Sequence, residues 1–333
     1  MIPLRIPLLA LLSTLPAGAA RAQVAGLTGT LVVTNKSAST ATIIDVGSGR
    51  ILATLPTGQG PHELVLSSDG GTAVVTDYSG EPGRTLTVID VAARRVVRTI
   101  DLGEHRRPHG IVYLPGDSLV AVTSEASGHV VVVHLGDGVV RRAAPTTQRG
   151  SHMVGVAADG VRAYTGNIGS NTVSELDLRT GRFVRTWDVP AAPEAINVTP
   201  DGSEVWVGSN QTGKVSVVTP SAGTVETAAE GFGWPYRILF SPDTKTVLLP
   251  DLRKEELRFL DRATRRELGR ISLAGGAPQG ITITPDGRFA LESLSGQARV
   301  VIVDMTTRTV AGYLAAGETP DGIGYTTRVF ARD

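Results

Sequence analysis

Three of the six histidines in this 333-residue sequence fall at the same position of a repeating motif. The motif is a proline, or once a serine, followed by one polar residue and a short apolar run. The polar residue recurs at intervals of roughly 43 residues. Its seven copies are His62, His109, His152, Glu194, Tyr236, Gln279 and Asp321. None of the seven is apolar, which indicates that the position faces water or a ligand rather than a core.

Imidazole and carboxylate groups gathered at one point would support two kinds of chemistry. Four consecutive copies supply three histidines and one glutamate, which is a plausible donor set for Zn, Mn or Cu. The predicted metal donors are His62, His109, His152 and Glu194. The same imidazoles would also serve as general bases, because histidine titrates near neutral pH. If the protein is an enzyme, the predicted catalytic residues are His109, His152 and Tyr236.

Other interpretations of these polar residues stay open. They would hold a small polar ligand, or only water, or have a purely structural role. Four side chains spread over four repeats are also far apart for a single ion. Arg237 would steer an anionic ligand, although an arginine beside an aromatic residue is also typical of a surface stack. The predicted ligand-binding residues are His62, His109, His152, Glu194, Tyr236, Arg237, Gln279 and Asp321.

Each repeat has the pattern of four short β-strands. The apolar run ends in a tight turn such as Pro200-Asp201-Gly202, and three further β-rich runs follow. Four strands per repeat without any helical period predict the blades of a β-propeller. In such a fold the first strands line the central channel. The seven polar residues should therefore meet at the channel mouth.

Counting the strands predicts an all-β, seven-bladed β-propeller with four antiparallel strands per blade. The repeats begin with a second strand at 31–35 and end with a lone first strand at 323–325. The N-terminal three strands and the C-terminal one would thus form the last blade together. This 3+1 closure leaves no free sheet edge in the ring. Residues 23–333 are predicted to be this single domain.

Several motifs in the repeats resemble those of the YVTN-repeat, or surface-layer-like, β-propeller family. The motif of the family name occurs as Leu31-Val32-Val33-Thr34-Asn35, and a weaker form occurs at 74–77. The Pro-Asp-Gly turns and the hairpin at 177–182 are also similar. The resemblance covers roughly residues 27–326 and implies the fold. Seven-bladed relatives include binding proteins, lactonases and metal-dependent lyases, so the fold does not assign an activity.

Residues 1–22 have the features of a secretory signal peptide. Arg5 precedes an apolar run at 6–15, and Ala20 and Ala22 are small residues suited to cleavage before Gln23. The sequence therefore predicts an exported protein, periplasmic or extracellular after cleavage near Ala22. It contains no cysteine, so the exported domain would depend on its core rather than on disulfides.

The charge composition argues against polyanionic partners. Lys and Arg together number 32, and so do Asp and Glu together. A chain without excess charge or a basic run has no electrostatic reason to bind nucleic acid or an anionic membrane. The expected partner is a small polar molecule or another protein, and the expected state is a monomer.

Polar residues outside the repeated position have simpler interpretations. Loop residues between second and third strands, such as Glu125 and Asn210, should lie on the face of the channel mouth. Aspartates at the ends of third strands are predicted to cap hairpins. They are Asp45, Asp90, Asp177, Asp261 and Asp304. The histidines expected to be exposed are His105, His129 and His134.

The function favoured by these observations is that of an exported binding or interaction propeller. Its channel mouth would take a small polar ligand or a metal ion. The alternative is a metal-dependent lyase or lactone hydrolase that uses the channel-mouth histidines. In that case the ion would polarise a carbonyl or carboxylate group of the substrate, and Tyr236 or a histidine would move the proton.

Overall fold

The computed structural model describes residues 24–81 and 83–330. All regular secondary structure within these ranges is β-strand. The strands form seven four-stranded antiparallel sheets, which confirms the predicted all-β fold. The predicted signal peptide, residues 1–22, lies outside the described residues. In the part of the chain that is described, no helix has the length and apolar character needed to cross a membrane.

Each sheet is one blade of a seven-bladed β-propeller, and its first strand lies nearest the central channel. The first strands of blades 1 to 7 are β4 (Pro61–Leu66), β8 (Pro108–Tyr113), β12 (Ser151–Val156), β16 (Pro193–Val198), β20 (Leu239–Phe240), β24 (Pro278–Ile283) and β28 (Pro320–Thr326). The second strands are β5 (Thr72–Asp77), β9 (Leu119–Ser124), β13 (Arg162–Asn167), β17 (Val205–Ser209), β21 (Thr246–Asp251), β25 (Phe289–Leu294) and β1 (Thr30–Asn35). The third strands are β6 (Thr85–Asp90), β10 (His129–His134), β14 (Thr172–Asp177), β18 (Lys214–Thr219), β22 (Glu256–Asp261), β26 (Arg299–Asp304) and β2 (Thr40–Asp45). The fourth strands are β7 (Arg95–Asp101), β11 (Val139–Pro145), β15 (Arg182–Asp188), β19 (Thr224–Ala229), β23 (Glu267–Ser272), β27 (Thr309–Ala315) and β3 (Arg50–Pro56).

The seventh blade joins strands from the two ends of the described chain. β28 pairs with β1 in antiparallel register, with Thr326 opposite Thr30 and Ile323 opposite Val33. β28 also packs against β24 and β4, the first strands of the blades on either side. The predicted 3+1 closure is therefore confirmed, and the blades form a closed ring.

The apolar core lies between neighbouring blades. Second strands are buried along almost their whole length, whereas fourth strands are largely exposed. Val74 of blade 1, for example, packs with Val120 and Val122 of blade 2. A second strand is covered on both faces by adjacent sheets, which explains why its sequence is continuously apolar rather than alternating.

The aspartates at the ends of third strands cap hairpins, as predicted. Asp90 Oδ1 accepts a hydrogen bond from the Ala93 N–H at 2.8 Å, and Asp177 Oδ1 accepts one from the Thr180 N–H at 2.8 Å. Equivalent bonds are made by Asp45, Asp261 and Asp304. These carboxylates therefore have a structural role.

Blade 5 departs from the repeat at its first strand. The sequence pattern predicts that strand at 235–238, but the structure has only β20, Leu239–Phe240, and an isolated bridge from Pro235 to Asp251. Side chains bind the intervening carbonyl groups: the Arg237 guanidinium donates to the Tyr236 oxygen at 2.7 Å. The segment is therefore held partly by side chains and partly by single backbone bonds, such as that from the Tyr236 N–H to the Pro250 oxygen at 2.9 Å.

Candidate functional site at the channel mouth

A β-bulge at the start of the first strands turns the repeated polar residue towards the channel. In blade 1, Pro61 pairs with Asp77, but the next ladder pair joins Leu64 to Val75, so positions 62 and 63 lie in the bulge. The same register shift occurs in blades 2, 3, 4 and 6. Bulges re-aim side chains near binding sites, and here they direct one polar side chain per blade to the hub.

The first strands approach one another closely. The residue after the polar one is glycine in three blades, namely Gly110, Gly280 and Gly322. A Cβ atom on Gly322 would lie 2.4 Å from the carbonyl oxygen of His62, and one on Gly280 would lie 2.2 Å from that of Asp321. The hub is therefore narrow enough for the repeated side chains to touch.

Three histidines from consecutive blades form a stack at the hub. The ring centroids of His62 and His109 are 3.9 Å apart, and those of His109 and His152 are 3.6 Å apart. The ring of Tyr78 meets His109 edge-on at 5.2 Å. The repeat thus brings the three imidazoles together.

His109 is the most enclosed member of the stack. Its side chain is fully buried, and neither ring nitrogen has a hydrogen-bond partner among the described residues. Burial, with the nearby rings of His152 and His62, lowers the pKa of His109 well below its usual value. A neutral imidazole with two unsatisfied nitrogens is unfavourable, by about 1–3 kcal/mol for each buried group left without a partner.

A buried charged network surrounds His62. Its Nδ1 lies 2.9 Å from Asp321 Oδ2 and 3.3 Å from Glu63 Oε1. Arg237, from across the ring, forms an ion pair with Glu63 and lies 3.9 Å from Asp321 Oδ1. Burial alone would raise the pKa of Asp321, but His62 and the neighbouring cations hold it well below its usual range. Asp321 is therefore a fixed negative charge beside the imidazole.

Lys36 links this network to solvent. Its ammonium lies 2.7 Å from His62 Nε2 and 3.5 Å from Asp321 Oδ2, and its side chain is 31% exposed. An ammonium group can only donate, so Nε2 of the neutral ring must carry the lone pair and Nδ1 the proton. The carboxylate and the ammonium thus fix the tautomer of His62.

His152 is held between two carboxylates. Its Nδ1 lies 2.8 Å from Glu125 Oε2, and its Nε2 lies 3.8 Å from Glu194 Oε1. Glu194 Oε2 accepts hydrogen bonds from Asn210 Nδ2 at 2.5 Å and from Trp234 Nε1 at 2.9 Å. His152 and Glu194 are therefore anchored to the loops around the mouth.

These groups surround an open cavity of about 640 Å³ at the channel mouth. Its polar and aromatic lining residues are Lys36, His62, Tyr78, Glu125, His152, Glu194, Asn210, Trp234, Tyr236 and Gln279. The Oε1 atom of Gln279 is buried without a hydrogen-bond partner in the described part of the protein. The cavity has the volume typical of small-molecule sites.

The predicted ligand-binding residues divide into two groups. Those that line the cavity are His62, His152, Glu194, Tyr236 and Gln279. Those that are buried outside its lining are His109, Arg237 and Asp321. The surface stack considered for Arg237 is wrong in its location, because the side chain is buried. Its buried guanidinium pairs with Glu63 and lies 4.1 Å from the centroid of the Tyr236 ring.

The four predicted metal donors do not gather as one set. Among the described residues, the donor atoms that lie within 4.8 Å of one another belong to His62, Glu63 and His109. His152 and Glu194 are engaged with loop residues instead.

The predicted catalytic tyrosine is buried beside a carboxylate. The Tyr236 hydroxyl lies 3.5 Å from Asp321 Oδ1. Burial, with the charge of Asp321, raises the pKa of Tyr236 well above its usual value, so the phenol stays protonated. It is suited to donating a hydrogen bond rather than to accepting a proton.

Sequence reasoning missed four residues of this site: Lys36, Glu63, Tyr78 and Trp234. One signal was available for Glu63. The position after the repeated polar residue is small or apolar in five blades, such as Ala195 and Gly280, but carries opposite charges at Glu63 and Arg237. Such a complementary pair indicates a contact across the ring.

The expectation that His105 is exposed was wrong. Its side chain is buried, lies 5.3 Å from the His129 ring between centroids, and contacts Ser127 Oγ at 3.2 Å through Nδ1. His129 and His134 are partly exposed. The pair of His105 and His129 lies outside the cavity lining.

Comparison with known proteins gives a family match and structural neighbours. The YNCE-like β-propeller family matches residues 11–118. No curated protein matches the chain. Hydrazine synthase of Kuenenia stuttgartiensis is 19% identical with a TM-score of 0.72, over 83% of this chain and 92% of that one. A functionally unknown protein from Desulfotomaculum acetoxidans is 14% identical with a TM-score of 0.75, over 90% of this chain and 99% of that one.

A third neighbour is a candidate 6-phosphogluconolactonase from Bacteroides fragilis. It is 15% identical with a TM-score of 0.70, over 90% of this chain and 98% of that one. At these identities the likeness concerns the fold alone. The ring of seven four-stranded blades identifies the protein as a seven-bladed β-propeller, and its N-terminal third is similar to the YNCE-like β-propeller family.

Proposed function

We propose that the protein is an exported binding propeller that holds a small polar ligand or a metal ion at the mouth of its channel. The observation that carries this proposal is the cavity of about 640 Å³ at the hub. Polar groups from several blades converge on it, and Gln279 Oε1 at its edge has no partner in the described protein. A concave site with a few convergent polar groups is typical of ligand binding.

The lining favours a ligand rich in hydroxyl groups with one flat face. Trp234 and Tyr236 present aromatic rings whose centroids lie 6.5 Å apart. Glu125 and Glu194 supply acceptors for hydroxyl protons, and the Lys36 ammonium is a donor. The aromatic rings would cover the less polar face of such a ligand.

Tryptophan fluorescence tests this proposal, because the three tryptophans lie in different places, Trp187 in β15, Trp206 in β17 and Trp234 at the cavity. Of these, only Trp234 lines the cavity. Sugars, sugar acids and polyols should be titrated into protein that has been stripped of metal with EDTA. A true ligand should change the emission saturably in the wild type and in Trp187→Phe, but not in Trp234→Phe. The polar-ligand form of the proposal fails if no compound binds, or if the signal survives in Trp234→Phe; the metal-ion form is tested separately by zinc titration.

The second candidate function is a lyase or lactone hydrolase, and the orientation of His152 favours it. Glu125 holds Nδ1 of His152, which leaves Nε2 directed towards the cavity side and Glu194. A carboxylate-oriented imidazole is a common general base. Turnover of lactones or uronate substrates should then disappear in His152→Gln and persist in His129→Gln. Equal activity in both variants would exclude this role for His152.

We also infer that the mature protein works as a monomer in the periplasm or outside the cell, without nucleic acid or membrane as partner. The support is the signal-like segment at 1–22 and the balanced charge of the chain. Cell fractionation tests the location, since a chain lacking residues 2–22 should stay in the cytoplasm. Light scattering of the purified protein tests the oligomeric state.

A further inference from the structure

We propose that His62, Glu63 and His109 form a site for one divalent transition-metal ion beside the hub cavity. One donor atom from each residue lies within 4.8 Å of the others, and all three residues are buried. This inference rests on the proposed function of the hub as a binding site and names a cofactor for it. It differs from the donor set predicted from the sequence, because Glu63 takes the place of His152 and Glu194.

His109 offers donor atoms that are not already used in hydrogen bonds. Both of its ring nitrogens are buried and lack a hydrogen-bond partner among the described residues. Natural proteins rarely leave such groups unsatisfied without a functional reason. A metal ion would satisfy one nitrogen directly and so remove part of this penalty.

His62 is already arranged as metal-binding histidines usually are. Its Nδ1 lies 2.9 Å from Asp321 Oδ2 and 3.3 Å from its hydrogen-bond partner Glu63 Oε1, and Nε2 faces the Lys36 ammonium at 2.7 Å, so Nε2 carries the lone pair. A carboxylate that holds the second nitrogen fixes the tautomer and raises the basicity of the ligating one. Asp321 is therefore a positioning residue for the site.

Glu63 has one oxygen to spare for an ion. The contacts from His62 and from Arg237 both go to Oε1. Arg237 also lies 3.9 Å from Asp321 Oδ1, so its charge remains balanced when Oε2 of Glu63 binds a cation. Ligation does not require the buried ion pair to break.

The Lys36 ammonium occupies a position beside His62 and Asp321 that would also attract a metal cation. It lies 2.7 Å from His62 Nε2, yet its side chain is 31% exposed and is free to turn towards solvent. A divalent ion would compete with this single charge. Lys36 displaced from His62 would still face the cavity, where it would hold an anionic group of a ligand.

Two imidazoles and one carboxylate suit zinc, manganese or iron, and three protein donors leave coordination positions open. These positions would face the cavity and its ligand. A site of this kind binds or polarises an oxygen atom of a small molecule rather than serving only as a structural clip.

Zinc titration of EDTA-stripped protein, monitored with a competing chelator, tests the site. The wild type should bind one zinc per chain. Glu63→Gln and His109→Gln should each weaken binding by about 100-fold or more, since even loss of an outer-sphere partner typically weakens it 10–100-fold. The control His129→Gln changes a histidine in blade 2, the blade of His109, and this variant should bind zinc like the wild type. Lys36→Met should strengthen binding by about tenfold, because it removes a competing positive charge.

Glu194→Gln separates the two possible donor sets. A loss of affinity as large as that of Glu63→Gln would overturn the present set in favour of the one predicted from the sequence. Absence of stoichiometric zinc in the wild type would overturn the site altogether. Because variants of buried residues can misfold, X-ray absorption of the zinc-loaded wild type gives an independent check. It should show two imidazoles, with Zn–N distances of about 2.0–2.1 Å.

The outcomes also separate this inference from the proposed function. Ligand titration with the Trp234 signal is performed without metal and reports on the cavity alone. Zinc binding without any polar ligand would leave the metal site standing and overturn the polar-ligand proposal. If a polar ligand binds but the wild type takes up no stoichiometric zinc, the polar-ligand proposal stands and the metal site is overturned.

Discussion

Glu63 and Arg237 form a buried ion pair that connects blade 1 to blade 5 across the hub. Their side chains are 11% and 8% exposed, and Asp321 and Tyr236 surround them. Removing one partner of a buried pair leaves an uncompensated charge, whereas replacing both by apolar residues often has little effect. The pair is therefore a test of how the hub is stabilised.

We expect Glu63→Leu or Arg237→Leu alone to lower the free energy of unfolding by about 3–5 kcal/mol. The double variant should recover most of that loss. Urea denaturation in the presence of EDTA measures all three. The exposed pair of Arg84 and Asp101 is the control, and Asp101→Asn should change stability by less than about 1 kcal/mol. Additive losses in the double variant would show that the two charges do not compensate each other.

A second buried carboxyl group, that of Glu292, has no ion-pair or hydrogen-bond partner among the described residues. It lies in β25 with both carboxylate oxygens buried and without a hydrogen-bond partner in the described ranges. Other blades place Val33, Val75 or Val122 at the same strand position. Burial raises the pKa of Glu292 well above its usual value. The folded protein therefore keeps this carboxyl protonated where the unfolded chain ionises it.

Glu292→Val should stabilise the protein, and the gain should grow with pH. Since the folded pKa is raised, the carboxyl group's contribution is fully present below the unfolded pKa and is lost as pH rises through the folded pKa. Denaturation at pH 5 and pH 8 measures the difference, with a gain of about 1–3 kcal/mol or more at pH 8. Glu318→Val, at an exposed position, should stay within about 0.5 kcal/mol at both pH values. A constant gain at both pH values would contradict the assigned protonation.

The ring of polar hub residues was predictable because one repeat position gives one residue per blade. That reasoning finds His62, His109 and His152 without any coordinates. It does not find Lys36, the first residue after the second strand of blade 7, or Trp234, which lies in the irregular segment before β20, because neither belongs to the repeated Pro-X motif. Nor does it show which nitrogen of each ring is engaged, because that depends on partners such as Glu125 from a neighbouring loop.

At the scale of strands, a polar residue at the end of the second strand ties blades 7 and 1 to the blade before each of them. Asn35 accepts a hydrogen bond from the Gly317 N–H and donates to Thr40 and Thr42. In blade 1, Asp77 occupies this position and accepts hydrogen bonds from the Gly58 N–H and from the hydroxyls of Thr85 and Thr87. Burial raises the pKa of Asp77 to about 6, against the opposing effect of these hydrogen bonds. An aspartate thus occupies a position for which an amide is better suited.

Asp77→Asn should therefore stabilise the protein at neutral pH and have little effect below about pH 4. The raised folded pKa means that Asp77 contributes most when protonated, and this contribution is lost as pH rises from about 4 through about 6. The expected gain at pH 7 is about 2–3 kcal/mol. Thermal melts from pH 4 to pH 8 measure it. The reverse change, Asn35→Asp, should introduce the same pH-dependent loss of stability in blade 7. Parallel profiles of melting temperature against pH for the wild type, Asp77→Asn and Asn35→Asp would contradict this account.

Strand positions were largely predictable, and the one exception lies at the hub. Turn motifs and apolar runs locate the blades because both are local features of the chain. The first strand of blade 5 was misplaced because its carbonyl groups bind side chains from elsewhere, such as Asn197 to Ile238. Contacts of that kind are not visible in a repeat pattern.

At the scale of the whole molecule, the ring depends on the pairing of β28 with β1. Without β28, Leu31 and Val33 of the seventh blade would lose the cover of Ile323. A chain that ends at Glu318 should lose its cooperative thermal transition or melt at least about 10 °C lower. Adding a synthetic peptide of residues 319–330 in excess should restore the transition, and a scrambled peptide should not. Full stability of the truncated chain would show that closure is not required.

The distance along the chain between Thr30 and its partner Thr326 also determines when the fold is completed. At translation rates of about 5–20 residues per second, β1 waits about 15–60 s for β28 to be made. During that time the edge of β1 that pairs with β28 is unpaired, and unpaired strand edges favour aggregation. We therefore expect the soluble yield of the protein to respond to translation speed.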